Sequence, residues 1–85
     1  METLQLTHEQ NALKNQIVAI AQNYPGYTKY TVRYALSPNK IRIVIYTKSN
    51  LMVDPIIKSI KDVVYYHRKI VTVQIEQPTG NKIDI

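Results

Sequence analysis

The side chains best suited to chemistry in this sequence are the cations of its middle third. Residues 27–53 contain five lysines or arginines and no acidic residue, while the flanking segments are close to neutral. Lys and Arg side chains neutralise phosphate groups and release bound counterions, so this concentration is typical of a surface that meets a polyanion. The segment accounts for the basic character of the chain, which has a formal net charge of +5 and a pI of about 9.6.

Two predicted strands position these cations. Residues 27–36 and 41–48 alternate with a period of two, which is the pattern of a half-buried β-strand. Residues 37–40 (SPNK) between them have turn composition, so the segment predicts a β-hairpin. One face of the hairpin is apolar, and the other carries cations, one aromatic ring and Val44. The candidate nucleic-acid-binding residues on this second face are Lys29, Arg33, Arg42, Tyr46 and Lys48.

A sheet that presents aromatic rings framed by cations can bind single-stranded nucleic acid, because the rings stack on bases and the cations contact phosphates. RRM domains bind RNA in this way, but the strand at 41–48 (IRIVIYTK) does not match the RRM signature. The hypothesis of nucleic-acid binding therefore depends on composition and arrangement. The competing interpretation is a solvated face whose cations protect the sheet from aggregation.

Two amphipathic helices are predicted to flank the hairpin. The first covers residues 8–23; Thr7 is a favourable N-cap, and Gln10 is placed to complete a capping box. The second covers residues 54–66 and begins with Asp-Pro, an N-cap followed by a residue preorganised for the first turn. An alternative start for this helix lies at residues 49–50.

A third strand over residues 70–77 completes the predicted sheet. The order αββαβ predicts a single α+β domain over residues 1–85, an open-faced sandwich with two helices on one face of a three-stranded, mainly antiparallel sheet. Residues 78–85 are expected to form a polar C-terminal tail. Thr3–Leu6 also alternates, so a short N-terminal strand is the alternative, and the order would then be the ferredoxin-like βαββαβ.

The apolar faces of these elements form the predicted core. A domain of this size buries only about 60% of the surface that its unfolded chain exposes, so each core position matters. The predicted core consists of Ile17, Ile20, Val32, Ile43, Ile45, Ile56, Ile60, Val63, Val73 and Ile75.

Protein–protein assembly or homo-oligomerisation is the alternative function. A three-stranded sheet has two edges to which a partner strand can add. The C-terminal segment carries two isoleucines that could dock on such an edge, although it could also fray or pack on its own domain. The candidate partner-binding residues are Val44, Ile83 and Ile85.

Catalysis, metal binding and cofactor binding have little support in the sequence. There is no Cys, which excludes thiolate chemistry and disulfides, and the two glycines do not form a phosphate-binding loop. The acidic residues are widely separated, no serine has a nucleophile-elbow context, and neither His8 nor His67 has a metal-ligand partner at helical spacing. We expect a non-catalytic binding module without a cofactor or a metal ion.

The compartment is predicted from features that the chain lacks. No apolar run approaches the roughly 18 residues that span a bilayer. The first ten residues have neither the basic nor the apolar region of a signal peptide. Small secreted domains usually depend on disulfides, so a cytoplasmic location without a membrane partner is expected.

Overall fold

A computed structural model describes residues 6–35, 39–48 and 53–85 of the chain. Within these residues the chain forms two helices and a four-stranded mixed sheet. The α+β class is confirmed, and the first three strands and both helices end within two residues of their predicted bounds. The elements are α1 (His8–Gln22), β1 (Tyr27–Tyr34), β2 (Ile41–Thr47), α2 (Val53–Tyr66), β3 (Val71–Glu76) and β4 (Lys82–Asp84).

Local sequence explains how α1 begins and how the chain leaves it. The Thr7 hydroxyl accepts from the Gln10 amide, and the Gln10 side-chain oxygen accepts from the Thr7 amide, each at 3.1 Å. The predicted capping box is therefore present. After the C-cap at Asn23, Gly26 has a φ of +94°, a conformation that favours glycine, and the chain turns there into β1.

The sheet has the strand order β1-β2-β3-β4. β1 and β2 form the predicted antiparallel hairpin, and the Ala35 amide donates to the Lys40 carbonyl near its turn at 2.9 Å. β2 and β3 pair in parallel, with α2 as their crossover, and β4 pairs antiparallel with β3. The prediction of a three-stranded sheet is thus corrected: there is a fourth strand, and the central pair is parallel. The 14-residue α2 supplies the long connection that parallel pairing requires.

The ferredoxin-like alternative is contradicted by this parallel pair. A ferredoxin-like sheet splits its βαβ units, so that another strand lies between the two strands that a helix connects. Here β2 and β3 are paired directly from Ile41↔Val71 to Tyr46↔Glu76, which leaves no place between them. Leu6 is not in a strand and packs against the core. Residues 3–5 of the alternative N-terminal strand lie outside the described residues. So do the alternative helix start at 49–50 and residues 36–38, which were predicted to belong to the hairpin.

The core lies between the sheet and the two helices, which pack on the same face. Its fully buried side chains come from α1, α2, β2 and β3, whereas the edge strands β1 and β4 contribute partly buried ones. Most of the predicted core is buried, but Ile20, Val32 and Val63 are only partly buried. Ile41 and Val71, absent from the prediction, are buried at the start of the two central strands, where the helices cover them.

The segment expected to be a polar tail contains β4. Ile83 lies opposite Ile75, and the Ile85 amide donates to the Val73 carbonyl at 3.0 Å. Both isoleucines also pack against the core as partly buried side chains. The segment is therefore the fourth strand of its own sheet rather than a free tail.

Candidate nucleic-acid interface

The sheet face opposite the helices carries the predicted cations in two groups. Cross-strand register places Lys29 opposite Tyr46, and the Lys29 ammonium lies 5.0 Å from the centre of the Tyr46 ring. The register also places Arg33 directly opposite Arg42; these two residues are called the arginine pair below. The two groups are four residues apart along β2, which is about 13 Å at the rise of a strand. The predicted site therefore consists of two cationic centres.

The arginine pair is an unneutralised cationic centre. Its neighbour on β3 is the uncharged Thr72, and β4 pairs only with residues 74–76, so it ends before this position. Among the described residues, neither arginine makes an ion pair. Like charges directly opposite each other destabilise a strand pair, so this placement does not favour folding. Arginines at directly opposed strand positions can instead place both guanidinium groups on one phosphate.

The centre formed by Lys29 and Tyr46 is closer to neutral. Glu76 lies opposite Tyr46 on β3, and its carboxylate is 3.7 Å from the Lys82 ammonium. Lys48 follows the end of β2, where its amide donates to the Gly26 carbonyl. Because Lys29 lies over the Tyr46 ring, a base can stack on that side of the ring only after Lys29 moves. This end of the face is the weaker candidate for phosphate contact.

The middle of the open face is buried, so it does not present an accessible apolar surface. Val44 is only 2% exposed although it points away from the helices, and the Thr31 hydroxyl beside it is buried. Arg42 and Tyr46 flank Val44 on the same face of β2 and are placed to cover it. The expectation that Val44 offers an exposed apolar contact is therefore wrong.

Ile83 and Ile85, the other two candidate partner contacts, do not lie on the open face. Ile83 is in register with Ile75, whose side chain points to the helices. Ile85 lines a groove of about 510 Å³ against α2, together with Tyr65 and Arg68 among others. Both side chains thus belong to the helix side of the domain.

Hydrogen bonds join three segments at the end of the sheet where β2 and β3 begin, called the strand-start end below. The Ile41 amide donates to the Ile70 carbonyl at 3.0 Å. The side-chain amide of Gln10, from the first turn of α1, donates to the carbonyls of Asn39 and Ile70 at 3.0 and 3.1 Å. The hairpin turn, the α2–β3 loop and the start of α1 are consequently held together.

This arrangement collects cations that are far apart in the sequence. Five of the eleven Lys and Arg residues lie on or next to the strand-start end. Among the described acidic residues, Glu9 is the one placed there, 3.6 Å from His67. No binding role was predicted for three of these cations, Lys40, Arg68 and Lys69. The signal that could have found them is a parallel βαβ connection, which brings the starts of both strands to one end of the sheet. The five cations are Arg33, Lys40, Arg42, Arg68 and Lys69.

Two tyrosines at the end of α2 are strongly exposed. Tyr65 is 68% exposed, and the Arg68 guanidinium lies 4.5 Å from its ring centre while donating to its backbone carbonyl. Tyr66 is 81% exposed and meets the His67 ring edge-to-face at 5.0 Å. Tyr66 is therefore the most accessible aromatic ring of the described chain.

Comparison with known proteins adds no assignment to this geometry. The chain matches no protein-family model, no curated protein and no solved structure. Within the described residues, no three His, Asp or Glu side chains are grouped so as to hold a metal ion, and neither helix is long and apolar enough to cross a membrane.

Proposed function

We propose that this protein is a non-catalytic module that binds nucleic acid through the basic open face of its sheet. The observation that carries the proposal is the direct opposition of Arg33 and Arg42 on a face where no described carboxylate pairs with them. A phosphate between the two guanidinium groups relieves their repulsion and releases counterions. Further along the same face lie Tyr46 on β2, Lys29 opposite it on β1, and Lys48 just after β2, which extend the contact.

Replacing both arginines by serine tests the proposal. Wild type and the Arg33→Ser/Arg42→Ser variant are titrated against labelled single-stranded DNA and RNA by fluorescence anisotropy, at several salt concentrations between about 50 and 200 mM. The logarithm of the affinity falls with the logarithm of the salt concentration by about 0.7 per neutralised phosphate of a single strand. Loss of two contacts should therefore make the slope shallower by about 1.4.

A matched control removes the same charge elsewhere. Lys58 and Lys61 are exposed on α2, away from the open face, so Lys58→Ser/Lys61→Ser should keep the wild-type slope. If the arginine variant also keeps the wild-type slope, the open face is not the contact surface. If the wild-type protein binds no oligonucleotide at low salt, nucleic-acid binding itself is contradicted.

Homo-oligomerisation through a sheet edge is the alternative function. β1 has eight residues and no partner on its outer side among the described residues, so a strand from a second molecule can add there. Val44, Ile83 and Ile85 support this function less than expected, because Val44 is covered and both isoleucines pack on their own domain. Concentration-dependent mass in sedimentation velocity, together with no affinity for oligonucleotides, would favour this alternative.

A further inference from the structure

A groove lies at the junction of α2 and β3, next to the strand-start end. Its volume is about 450 Å³. It combines the most exposed aromatic ring of the described chain with two cations, the pairing that holds nucleotides of single strands, where the base stacks and the phosphate is neutralised. The residues that line it are Glu9, Tyr66, His67, Arg68, Lys69 and Ile70.

A backbone hydrogen bond at the end of the sheet links the groove to the strand that carries Arg42. The hydrogen bond from Ile41 to Ile70 brings the β2 and α2–β3 backbones together. Arg42 directly follows Ile41 and Lys69 directly precedes Ile70, so the Cα atom of each cation is about 3.8 Å from that of a residue in this contact. Lys40, the residue before Ile41, adds a further cation next to this contact. A basic path therefore leads from the open face to the groove.

We propose that this groove binds one nucleotide of a single-stranded nucleic acid, with its base stacked on Tyr66 and its phosphate held by Arg68 and Lys69. The proposal rests on the function proposed above and names its substrate class. Neighbouring phosphates of the same strand occupy the arginine pair. Tyr66 suits the stacking role better than Tyr46, because Lys29 lies over the Tyr46 ring whereas, among the described residues, Tyr66 meets just the His67 ring, edge-to-face.

The turn of the path selects a single strand over a duplex. The path starts on the open face of the sheet, passes its end and reaches the helix layer. Duplex DNA has a persistence length of about 50 nm, so it does not bend around one small domain without a large cost. A single strand follows such a turn freely. The groove also contains one acid, Glu9, whose carboxylate lies 3.6 Å from a ring nitrogen of His67.

Base stacking and phosphate contact are tested separately with two probes. The probes are an oligothymidylate of about 15 nucleotides and an abasic strand of the same length and charge. Tyr66→Ala should weaken binding of the oligothymidylate by about 5- to 100-fold and leave binding of the abasic strand unchanged. Arg68→Ser/Lys69→Ser should weaken binding of both probes and make the salt slope shallower by about 1.4. Duplex DNA should bind more weakly than either strand.

The outcomes distinguish this proposal from the proposed function. If Arg33→Ser/Arg42→Ser weakens binding but the two groove variants behave like Lys58→Ser/Lys61→Ser, the groove proposal is overturned and the open face stands. An equal loss for both probes in Tyr66→Ala overturns the stacking role, and tighter binding of duplex DNA overturns the substrate class. If wild type binds no probe, the proposed function fails as well. Thermal unfolding of each variant checks its fold; Tyr66 is 81% exposed, so its removal should not unfold the domain.

Discussion

Replacing Gln10 by alanine should destabilise the domain and loosen the end of the sheet that carries the proposed binding surface. The Gln10 side chain is 2% exposed and makes hydrogen bonds to three separate segments. Its amide group donates to the carbonyls of Asn39 and Ile70, and its oxygen accepts from the Thr7 amide. It is thus the side chain that ties the hairpin turn to the α2–β3 loop.

The expected fall in the free energy of unfolding follows from the hydrogen bonds that each partner of Gln10 loses. A net contribution of about 0.5–1.5 kcal/mol for each of the two hydrogen bonds between elements amounts to about 1–3 kcal/mol. The Ile70 carbonyl keeps the Ile41 amide as a donor, and the Thr7 amide lies at an exposed residue where water can replace Gln10, so these losses are moderated. Lost burial of the side-chain carbons adds about 1 kcal/mol. We expect Gln10→Ala to lower the free energy of unfolding by about 2–4 kcal/mol.

Urea unfolding of wild type and variant measures this difference, and thermal unfolding should show a fall in Tm of about 10–25 °C. Gln16→Ala is the matched control, because Gln16 is an exposed residue of the same helix and alanine is the better helix former. Hydrogen exchange provides a local readout: the Ile41 amide, which donates to Ile70, should lose more protection than the Ile43 amide in the middle of the same strand.

A charged isostere separates the hydrogen bonds from the volume of the side chain. Gln10→Glu keeps the shape but places acceptor oxygens against two carbonyls. Burial and those carbonyls disfavour the charged form, so the pKa of the introduced carboxyl should be raised in the folded protein. The folded variant then binds more protons than its unfolded chain, and its stability falls as pH rises from the unfolded pKa of about 4.3 towards the raised value. The deficit relative to wild type should be larger at about pH 7 than at about pH 4.

Two results would refute this reasoning about Gln10. One is a Gln10→Ala variant within about 0.5 kcal/mol of Gln16→Ala, which is the range of surface substitutions without structural consequence. The other is a Gln10→Glu deficit that does not change with pH. Either result would mean that the side chain does not hold the turn and the loop together.

Two further predictions concern the faces and the edge of the sheet. Ile43→Ala, on the helix side of β2, should lower the free energy of unfolding in urea by about 2–5 kcal/mol. Val44→Ala, on the open face, should lower it clearly less, because Val44 lies outside the core cluster. Equal losses would contradict the assignment of the two faces. Deletion of residues 81–85 should lower stability and promote self-association in sedimentation velocity, since it uncovers the edge of β3; a stable monomer would show that β4 does not protect that edge.

Local patterns in the sequence predict the elements and their faces well. The alternation around Ile43 and Val73 identifies buried strand faces, because successive side chains of a strand point to opposite sides. The pairing of Thr7 with Gln10 predicts the start of α1, because the capping box involves only residues three apart. In both cases the information lies within a few residues of the element itself.

Patterns of this kind do not report which strands become neighbours. The parallel pairing of β2 with β3 depends on the packing of α2 over the sheet, and the short β4 has too few residues to carry a periodic signal. Val44 alternates like an exposed residue, yet it is only 2% exposed. Tyr65 and Tyr66 end α2 in positions that the sheet does not cover, so both are strongly exposed.

For the candidate site, alternation and composition alone predict that Arg33 and Arg42 share one face of a hairpin that contains no acidic residue. The tertiary structure places these two arginines directly opposite each other, since register depends on the packing of the strands against the helices. It also decided that Arg68 and Lys69 lie at the same end, because the crossover through α2 returns the chain to the start of β2. Long-range pairing of this kind depends on how apolar faces are buried together, which no local pattern contains.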